Sequence, residues 1–258
     1  SIPFPVGRLI EVPQSEEPRT PNGPCWPQRT DVICCWLALR GIEAAGSRTG
    51  DVSWTGPPGA HHVSVRLSVS KTDPAALGVT RTHTCACPRA KGASAVIRQS
   101  VCPACAIREQ AIWARERFQG PDYSPLFPDP TGATVTRHAF VRHIEAGFHA
   151  LGIDTVSHTG SALAGEHSYR NGIAVYLASQ RIEVWIIQGL LRHSFNSQIV
   201  LRYIREAHVK AATDLAEQAT LAKNMSAVRA ELRMLQNAAA GPRPVLDPPP
   251  ERTAGGHP

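Results

Sequence analysis

Residues 165–204 read GEHSYRNGIAVYLASQRIEVWIIQGLLRHSFNSQIVLRYI, and this stretch narrows the possible folds more than any other. Its apolar residues recur at helical spacing, which predicts helices packed inside a domain. Yet it carries His167, Arg170, His193 and Tyr203 at intervals. Polar side chains on buried helices must be satisfied by one another, by backbone or by a ligand. His167 and Arg170 stand three apart and share a helical face. From Arg170 to His193 is 23 residues and from His193 to Tyr203 is 10, so a helix, a tight turn and a second helix bring all four together. Taken singly, a histidine is more often structural than catalytic, and an arginine often caps or pairs. Whether this is a histidine-rich core or a phosphate site depends on partners upstream.

At 258 residues the chain suits one large domain or two small ones and buries a sizeable core. With 42% hydrophobic and 19% charged residues it has the composition of an ordinary soluble globular protein. No apolar run approaches the roughly 18 residues of a membrane helix, and no secretory signal opens the sequence, so no membrane partner is expected. A formal charge of +6 is compatible with a polyanionic partner. The seven cysteines are odd in number and unevenly spaced, which reads as reduced thiols in an intracellular setting.

Residues 1–28 are rich in proline without periodicity and read as a linker or the remnant of something longer. From Thr30 the pattern turns helical, with Val32, Ile33, Trp36, Leu37 and Leu39 on one side and Thr30 or Asp31 as N-cap. VSVRLSVSKTD alternates, with Val63, Val65, Leu67 and Val69 facing one way, and predicts a half-buried strand; a second short strand follows near GVTRTHT. A cysteine-bearing insert spans 83–106, followed by a short helix (CAIREQAIWARERF) and a proline-rich loop. TRHAFVRHIEAGFHALGI sets Phe140, Ile144, Phe148 and Leu151 at helical spacing. Leu221, Met225, Val228, Leu232 and Leu235 form a heptad-like seam in a helix over 210–239, and 240–258 read as a disordered tail. The expected architecture is mainly α with a small antiparallel β-sheet, its main domain at 29–209.

The upstream partners exist. LALRGIEAAGSRTGDVSW holds Arg40, Glu43, Arg48 and Asp51, and Lys71 stands in SVSKTDP at the end of the alternating strand. HSYR, IIQGLLRHS and IVLRYI then follow in order. In this arrangement the chain closely resembles the tyrosine recombinase, or phage integrase, family over residues 30–209. That family opens its catalytic domain with an arginine and an acidic residue three later, then a basic and aspartate-bearing turn. A lysine in a β-hairpin follows, then H-x-x-R, an LLGHS-like turn and the tyrosine nucleophile. The resemblance implies the DNA breaking-and-rejoining fold. It also implies a catalytic set of Arg40, Lys71, His167, Arg170, His193 and Tyr203, with Glu43 in support.

These residue types suit strand cleavage by transesterification. The reaction needs a nucleophile, neutralisation of a charged phosphorane and a proton for the departing 5′ oxygen. Arg40 and Arg170 fit the non-bridging oxygens, because guanidinium forks stay protonated and bond bidentately. Tyr203, as nucleophile, needs a base and nearby cations, since free tyrosine has a pKa near 10. His167 is the candidate base, and the resemblance gives Lys71 the proton for the 5′ oxygen and His193 a hydrogen bond to the phosphate. The implied partner is double-stranded DNA, held by a homo-oligomer that reaches a synaptic tetramer. No metal or ATP is required, because the arginines supply the charge and the phosphotyrosyl link keeps the bond energy. Tyr169 is an alternative nucleophile, less suited because it lies between two site residues.

Three features depart from the family pattern. Arg192 replaces the glycine usual before the second histidine. The step from His193 to Tyr203 is one residue longer than usual, and Asn171 and Gly172 follow Arg170. The resemblance also calls for a helical N-terminal DNA clamp, for which this sequence leaves no room, so the chain is expected to be partial or to rely on a partner. These features keep a decayed DNA-binding scaffold of the same fold as an alternative, beside a type IB topoisomerase. The insert HTCACPRAKGASAVIRQSVCPACAIRE offers C-x-C and C-x-x-C, so Cys85, Cys87, Cys102 and Cys105, with His83 as substitute, are candidate ligands of a structural zinc. The other reading is four reduced cysteines in a loop, and a zinc-dependent interaction protein is a further alternative. Cys25, Cys34 and Cys35 read as core or linker residues.

Overall fold

Helix α1 (Pro27–Trp36) is buried on every side, so it forms the axis of the fold rather than an amphipathic surface helix. The computed structural model describes residues 1–67, 78–85, 87, 100–118, 120, 122–192, 201–203, 205, 209, 233 and 234. Expected to begin at Thr30 or Asp31, α1 starts earlier because Pro27 supplies a pre-formed first position after the left-handed Trp26. Thr30 and Asp31 therefore lie inside the helix. The helix ends in a Schellman turn: the N–H groups of Ala38 and Leu39 donate to Cys35 O and Cys34 O, and Ala38 takes the left-handed conformation that usually falls to glycine.

Around α1 stand α2 (Gly41–Gly46), α3 (Pro103–Phe118), α4 (Arg137–Ala150), α5 (Ser168–Ser179) and α6 (Val184–Leu191). Thr136 caps α4, its side chain accepting from Ala139 N at 3.2 Å. Phe140, Ile144, Phe148 and Leu151 are buried, as their spacing predicted. The sheet is antiparallel in the order β1 (Val52–Thr55), β2 (His62–Leu67), β3 (Val79–Thr84), and it packs on α3. Val63, Val65 and Leu67 face inward as the alternation required, with Val63 opposite His83 and Leu67 opposite Val79. The fold class is thus mainly helical with a small antiparallel sheet. Val69 and the heptad-like seam lie outside the described residues. No described helix is long and apolar enough to cross a membrane.

The N-terminal segment corrects the expectation of a linker. Phe4, Val6, Leu9, Val12 and Cys25 are buried in the main core, and Val6–Glu11 forms a 3-10 turn against α1 and α5. The Phe4 ring packs 5.0 Å from Phe148 and 4.9 Å from Tyr169. Prolines set φ but do not prevent burial where the side chains between them are apolar. The chain divides into two units, Ser1–His208 and Val209–Pro258, so residues 1–28 belong to the same unit as the rest of the core. Of the second unit only Val209, Arg233 and Met234 are described.

Asp31 ties these segments together. Its Oδ2 accepts from Arg19 Nη2 at 2.5 Å, and its Oδ1 accepts from His143 Nε2 at 3.1 Å and from the Tyr169 hydroxyl at 2.5 Å. Burial pushes the carboxyl pKa upward, but Arg19 and His143 outweigh burial and hold it below the ordinary value. Burial also lowers the His143 pKa against the pull of Asp31, so the ring is neutral. Unfolding below the usual histidine pKa near 6.5 therefore takes up a proton, and stability falls as pH drops through that range. Chemical denaturation at pH 7.5 and 5.5 should show this loss, and His143→Gln, which keeps a donor, should reduce it. Asp31→Asn leaves Arg19 without its counter-charge and should cost about 3–5 kcal/mol.

Gly172 supplies an independent check on the packed N-terminal segment. A Cβ there would stand 2.3 Å from Phe4 O, whereas one at Gly46 would meet nothing within 4 Å. Gly172→Ala should destabilise by about 1–3 kcal/mol through forced displacement of backbone. Gly46→Ala should leave the melting temperature level or slightly raised.

Candidate functional site

Three chain reversals converge on the site. The left-handed turn at Ala38 directs the chain so that Arg40 becomes the N-cap of α2. His167 is the N-cap of α5, which places Arg170 in its first turn. Helix α6 ends on Arg192, again left-handed with φ 53°.

Glu43 is the hub. Its Oε2 accepts the Arg40 backbone N–H at 2.9 Å and Arg192 Nη2 at 2.7 Å, and its Oε1 accepts Arg40 Nη1 at 3.4 Å. One buried carboxylate thus starts a helix and holds two guanidinium groups. Arg170 is 2% exposed, and Nη1 reaches Ala38 O at 3.5 Å. Burial, then Arg40 and Arg192, lower its pKa to about 10, while Glu43 and Tyr203 act in the opposite sense. It remains charged at neutral pH in a strongly positive environment. Arg81 on β3 joins the group: its Nη2 donates to Gly189 O at 3.0 Å and Leu190 O at 2.6 Å, at the end of α6. Burial and Arg192 lower its pKa, and Glu43 opposes them.

The cluster is under-satisfied. Arg170 Nη2, Arg192 Nε, Arg192 Nη1 and Arg81 Nε are buried and meet no acceptor among the described residues. Two guanidinium groups, of Arg40 and Arg192, bond the one carboxylate, and those of Arg170 and Arg81 lie within its electrostatic reach. An orphaned buried N–H is costly, and a surplus of buried positive charge more so, unless an anion closes the set. A tetrahedral oxyanion has the charge and acceptor count to do that.

The Tyr203 hydroxyl donates to Asn171 Oδ1 at 3.0 Å, and the ring is 3% exposed. Asn171 directly follows Arg170 on α5, so this bond holds the phenol near the segment that carries the Arg170 guanidinium. His167 is exposed. Burial of part of its ring lowers its pKa; Glu166 opposes this, while Arg40 and Arg170 add to it, leaving the imidazole neutral at pH 7. Tyr169 is removed as an alternative nucleophile: its hydroxyl is committed to Asp31, and burial and that carboxylate raise its pKa well above the ordinary value. Arg48 and Asp51 build a turn, Asp51 Oδ2 accepting Arg48 N at 2.9 Å and Arg48 Nη1 donating to Ala45 O at 2.9 Å. Of the expected set, Arg40, Glu43, His167, Arg170 and Tyr203 come together, while Lys71 and His193 lie outside the described residues. Arg192 and Arg81 were not in that set. Arg192 stood out only as a replacement for glycine, and Arg81 carried no signal beyond its place in the second short strand.

No family model matches the chain, and no curated protein matches it. Among solved structures it is similar to the XerH site-specific recombinase bound to palindromic difH substrate in a post-cleavage complex. The TM-score is 0.49 and the identity 17%, over 82% of this chain and 52% of that one. It is also similar to a lambda integrase dimer bound to a COC' core site, with TM-score 0.48 and 13% identity over 79% of this chain and 59% of that one. The chain therefore spans little more than half the length of either structure.

Inorganic sulfate, a tetrahedral oxyanion, should bind this cluster. At matched ionic strength it should raise the melting temperature saturably relative to chloride. The expected rise is a few degrees, since about 1 kcal/mol of linked binding moves a domain of this size by about 2–4 °C. Arg170→Gln and Arg192→Gly should each cut the rise at least by half. Equal curves in sulfate and chloride would exclude a built anion site.

Proposed function

We propose that the chain is a tyrosine-type DNA recombinase, from a mobile element, that cuts and rejoins double-stranded DNA through a 3′-phosphotyrosyl intermediate. The observation that carries this reading is the set of buried guanidinium N–H groups around Glu43 that meet no acceptor among the described residues, with the Tyr203 phenol bonded to Asn171, the residue after Arg170. A phosphodiester supplies the missing acceptors. Arg40 and Arg170 bind its non-bridging oxygens, Arg192 adds a third guanidinium, and fixed charges of this kind stabilise the transition state as charge builds on phosphorus. The Tyr203 oxygen attacks phosphorus while His167 takes the phenol proton. The bond to the 5′ oxygen breaks, Lys71 protonates that oxygen, and His193 donates a hydrogen bond to the phosphate. Rejoining by the free 5′-hydroxyl reverses these steps and consumes no ATP. The protein surrounds the phosphate with arginine charge, so catalysis needs no metal. The working assembly is a homo-oligomer on DNA, a synaptic tetramer, in the nucleus or nucleoid.

A second reading, a DNA-binding scaffold without cleavage, is favoured by the burial of Tyr203 and its bond to Asn171. A pool of nicked suicide duplexes of random sequence separates the two. Cleavage should trap an adduct that survives denaturation and is lost when protease is added, and sequencing its junctions should give the preferred site. Tyr203→Phe should abolish the adduct, Tyr169→Phe should retain it in folded protein, and Arg170→Ala should lower its rate by at least about 100-fold. The acid limb of the rate should lie below pH ~6.5, because His167 is held neutral beneath the usual histidine value. DNA binding with no adduct under any condition would assign the chain to the scaffold reading. Relaxation of supercoils by a monomer, without paired-site exchange, would assign it to type IB topoisomerases.

A further inference from the structure

We propose that Cys85, Cys87, Cys102 and Cys105 hold one zinc ion as a closed tetrathiolate that fastens the end of β3 to the start of α3. Their four sulfur atoms lie within 4.8 Å of one another. Cys105 Sγ is 3.5 Å from both Cys85 Sγ and Cys87 Sγ. Thiolates on a tetrahedral zinc, each about 2.3 Å from the metal, stand about 3.8 Å apart. A disulfide would draw one pair to about 2.0 Å and leave the others apart. One sulfur equidistant from two others fits a shared ion and not a bonded pair. Cys85, Cys102 and Cys105 are buried and Cys87 is half-buried, so four protein ligands fill the coordination sphere and leave no open position for substrate. That is the chemistry of a structural site.

The backbone explains how a C-x-C pair becomes a usable knuckle. Two ligands on one strand would both point to the same face but stand too far apart to share a metal without a bend. Here the strand stops at Thr84, so Cys85 and Cys87 both lie beyond its end and neither is held to strand geometry. Cys85 N–H donates to His61 O at 2.9 Å, which fixes the first ligand. On the other side Cys102 directly precedes Pro103, the first residue of α3, and Cys102 O accepts from Ala106 N at 2.9 Å. Cys102 and Cys105 therefore sit at the N-terminus of a 16-residue helix, whose free N–H groups and dipole favour thiolates. His83 is not a member of the cluster; its ring lies edge-on to Trp36, with centroids 6.5 Å apart. The clip braces the strand from which Arg81 reaches the end of α6.

The test needs no DNA, so its failure leaves the phosphate-site reading standing, and the reverse also holds. The full chain, produced with zinc in the medium and desalted, should carry about one zinc per chain by elemental analysis. A mercurial reagent should release that zinc in step with modification of the thiols. Cobalt(II) exchanged into the site should give intense thiolate-to-metal charge-transfer and tetrahedral ligand-field bands. Cys102→Ser and Cys105→Ser should reduce bound zinc at least tenfold, and Cys25→Ser, remote from the cluster, should retain it. Wild-type protein that purifies folded without zinc and develops no thiolate charge-transfer band with cobalt would overturn the assignment.

Discussion

A carboxylate with no exposed surface, Asp31, sets the geometry on which everything else rests. It sits in the middle of α1 and collects one donor from the N-terminal segment, one from α4 and one from α5. A buried charge of this kind is tolerated only when its hydrogen bonds are filled, so the four segments are mutually constrained. The effect on the site is direct. Successive residues on a helix differ by about 100° in direction. With the Tyr169 hydroxyl bound to Asp31, the rotation of α5 is set: Arg170, the next residue, turns toward Ala38 and the Glu43 cluster. The placement of Arg170 on α5 is therefore a consequence of a structural hydrogen bond on the neighbouring face.

The departures from the family pattern in the sequence have local physical reasons. Gly172 is required because the N-terminal segment crosses α5 there, with Phe4 N donating to Ser168 O at 2.9 Å and Phe4 O 2.3 Å from where a Cβ would stand. Asn171 bridges the same segment and the site: its Nδ2 donates to Ser1 O at 2.9 Å while its Oδ1 accepts the Tyr203 hydroxyl. The two residues after Arg170 are thus matched to a packed segment that the motif itself does not contain.

Much of the fold was legible because it rests on periodicity. The alternation of Val63, Val65 and Leu67 and the helical spacing of Phe140, Ile144 and Phe148 each report burial on one face, and burial follows. The pairing of Arg40 with Glu43 was legible as spacing too, because an acidic residue three after an N-cap reaches back to its N–H. What stayed hidden depends on tertiary contact. Residues 1–28 lack periodicity because their apolar side chains enter the core one at a time, from irregular backbone. Helix α1 lacks a polar face because it is enclosed, and its position was misread through Thr30 and Asp31. Asp31 looked like a cap; no local pattern marks a carboxylate whose partners lie 12, 112 and 138 residues away. Arg81 was equally invisible, since its acceptors are carbonyls over a hundred residues distant.

Arg192 shows how the backbone and the charge balance are coupled. A glycine at this helix end would adopt φ near 53° without penalty, whereas an arginine there costs on the order of 1 kcal/mol or more. In return its guanidinium makes the shorter of the two arginine side-chain contacts to Glu43, 2.7 Å against 3.4 Å from Arg40 Nη1. That ion pair fixes the end of α6, but Glu43 neutralises only one of the positive charges gathered there. Two of the Arg192 nitrogens and one of Arg170 remain buried without acceptors among the described residues. A helix end that accepts backbone strain to bring a third guanidinium beside Arg40 and Arg170 makes little sense as packing alone, since an apolar residue would fill the space without orphaned donors. The strain is consistent with the proposed binding of an oxyanion, because it places an additional donor beside Arg40 and Arg170.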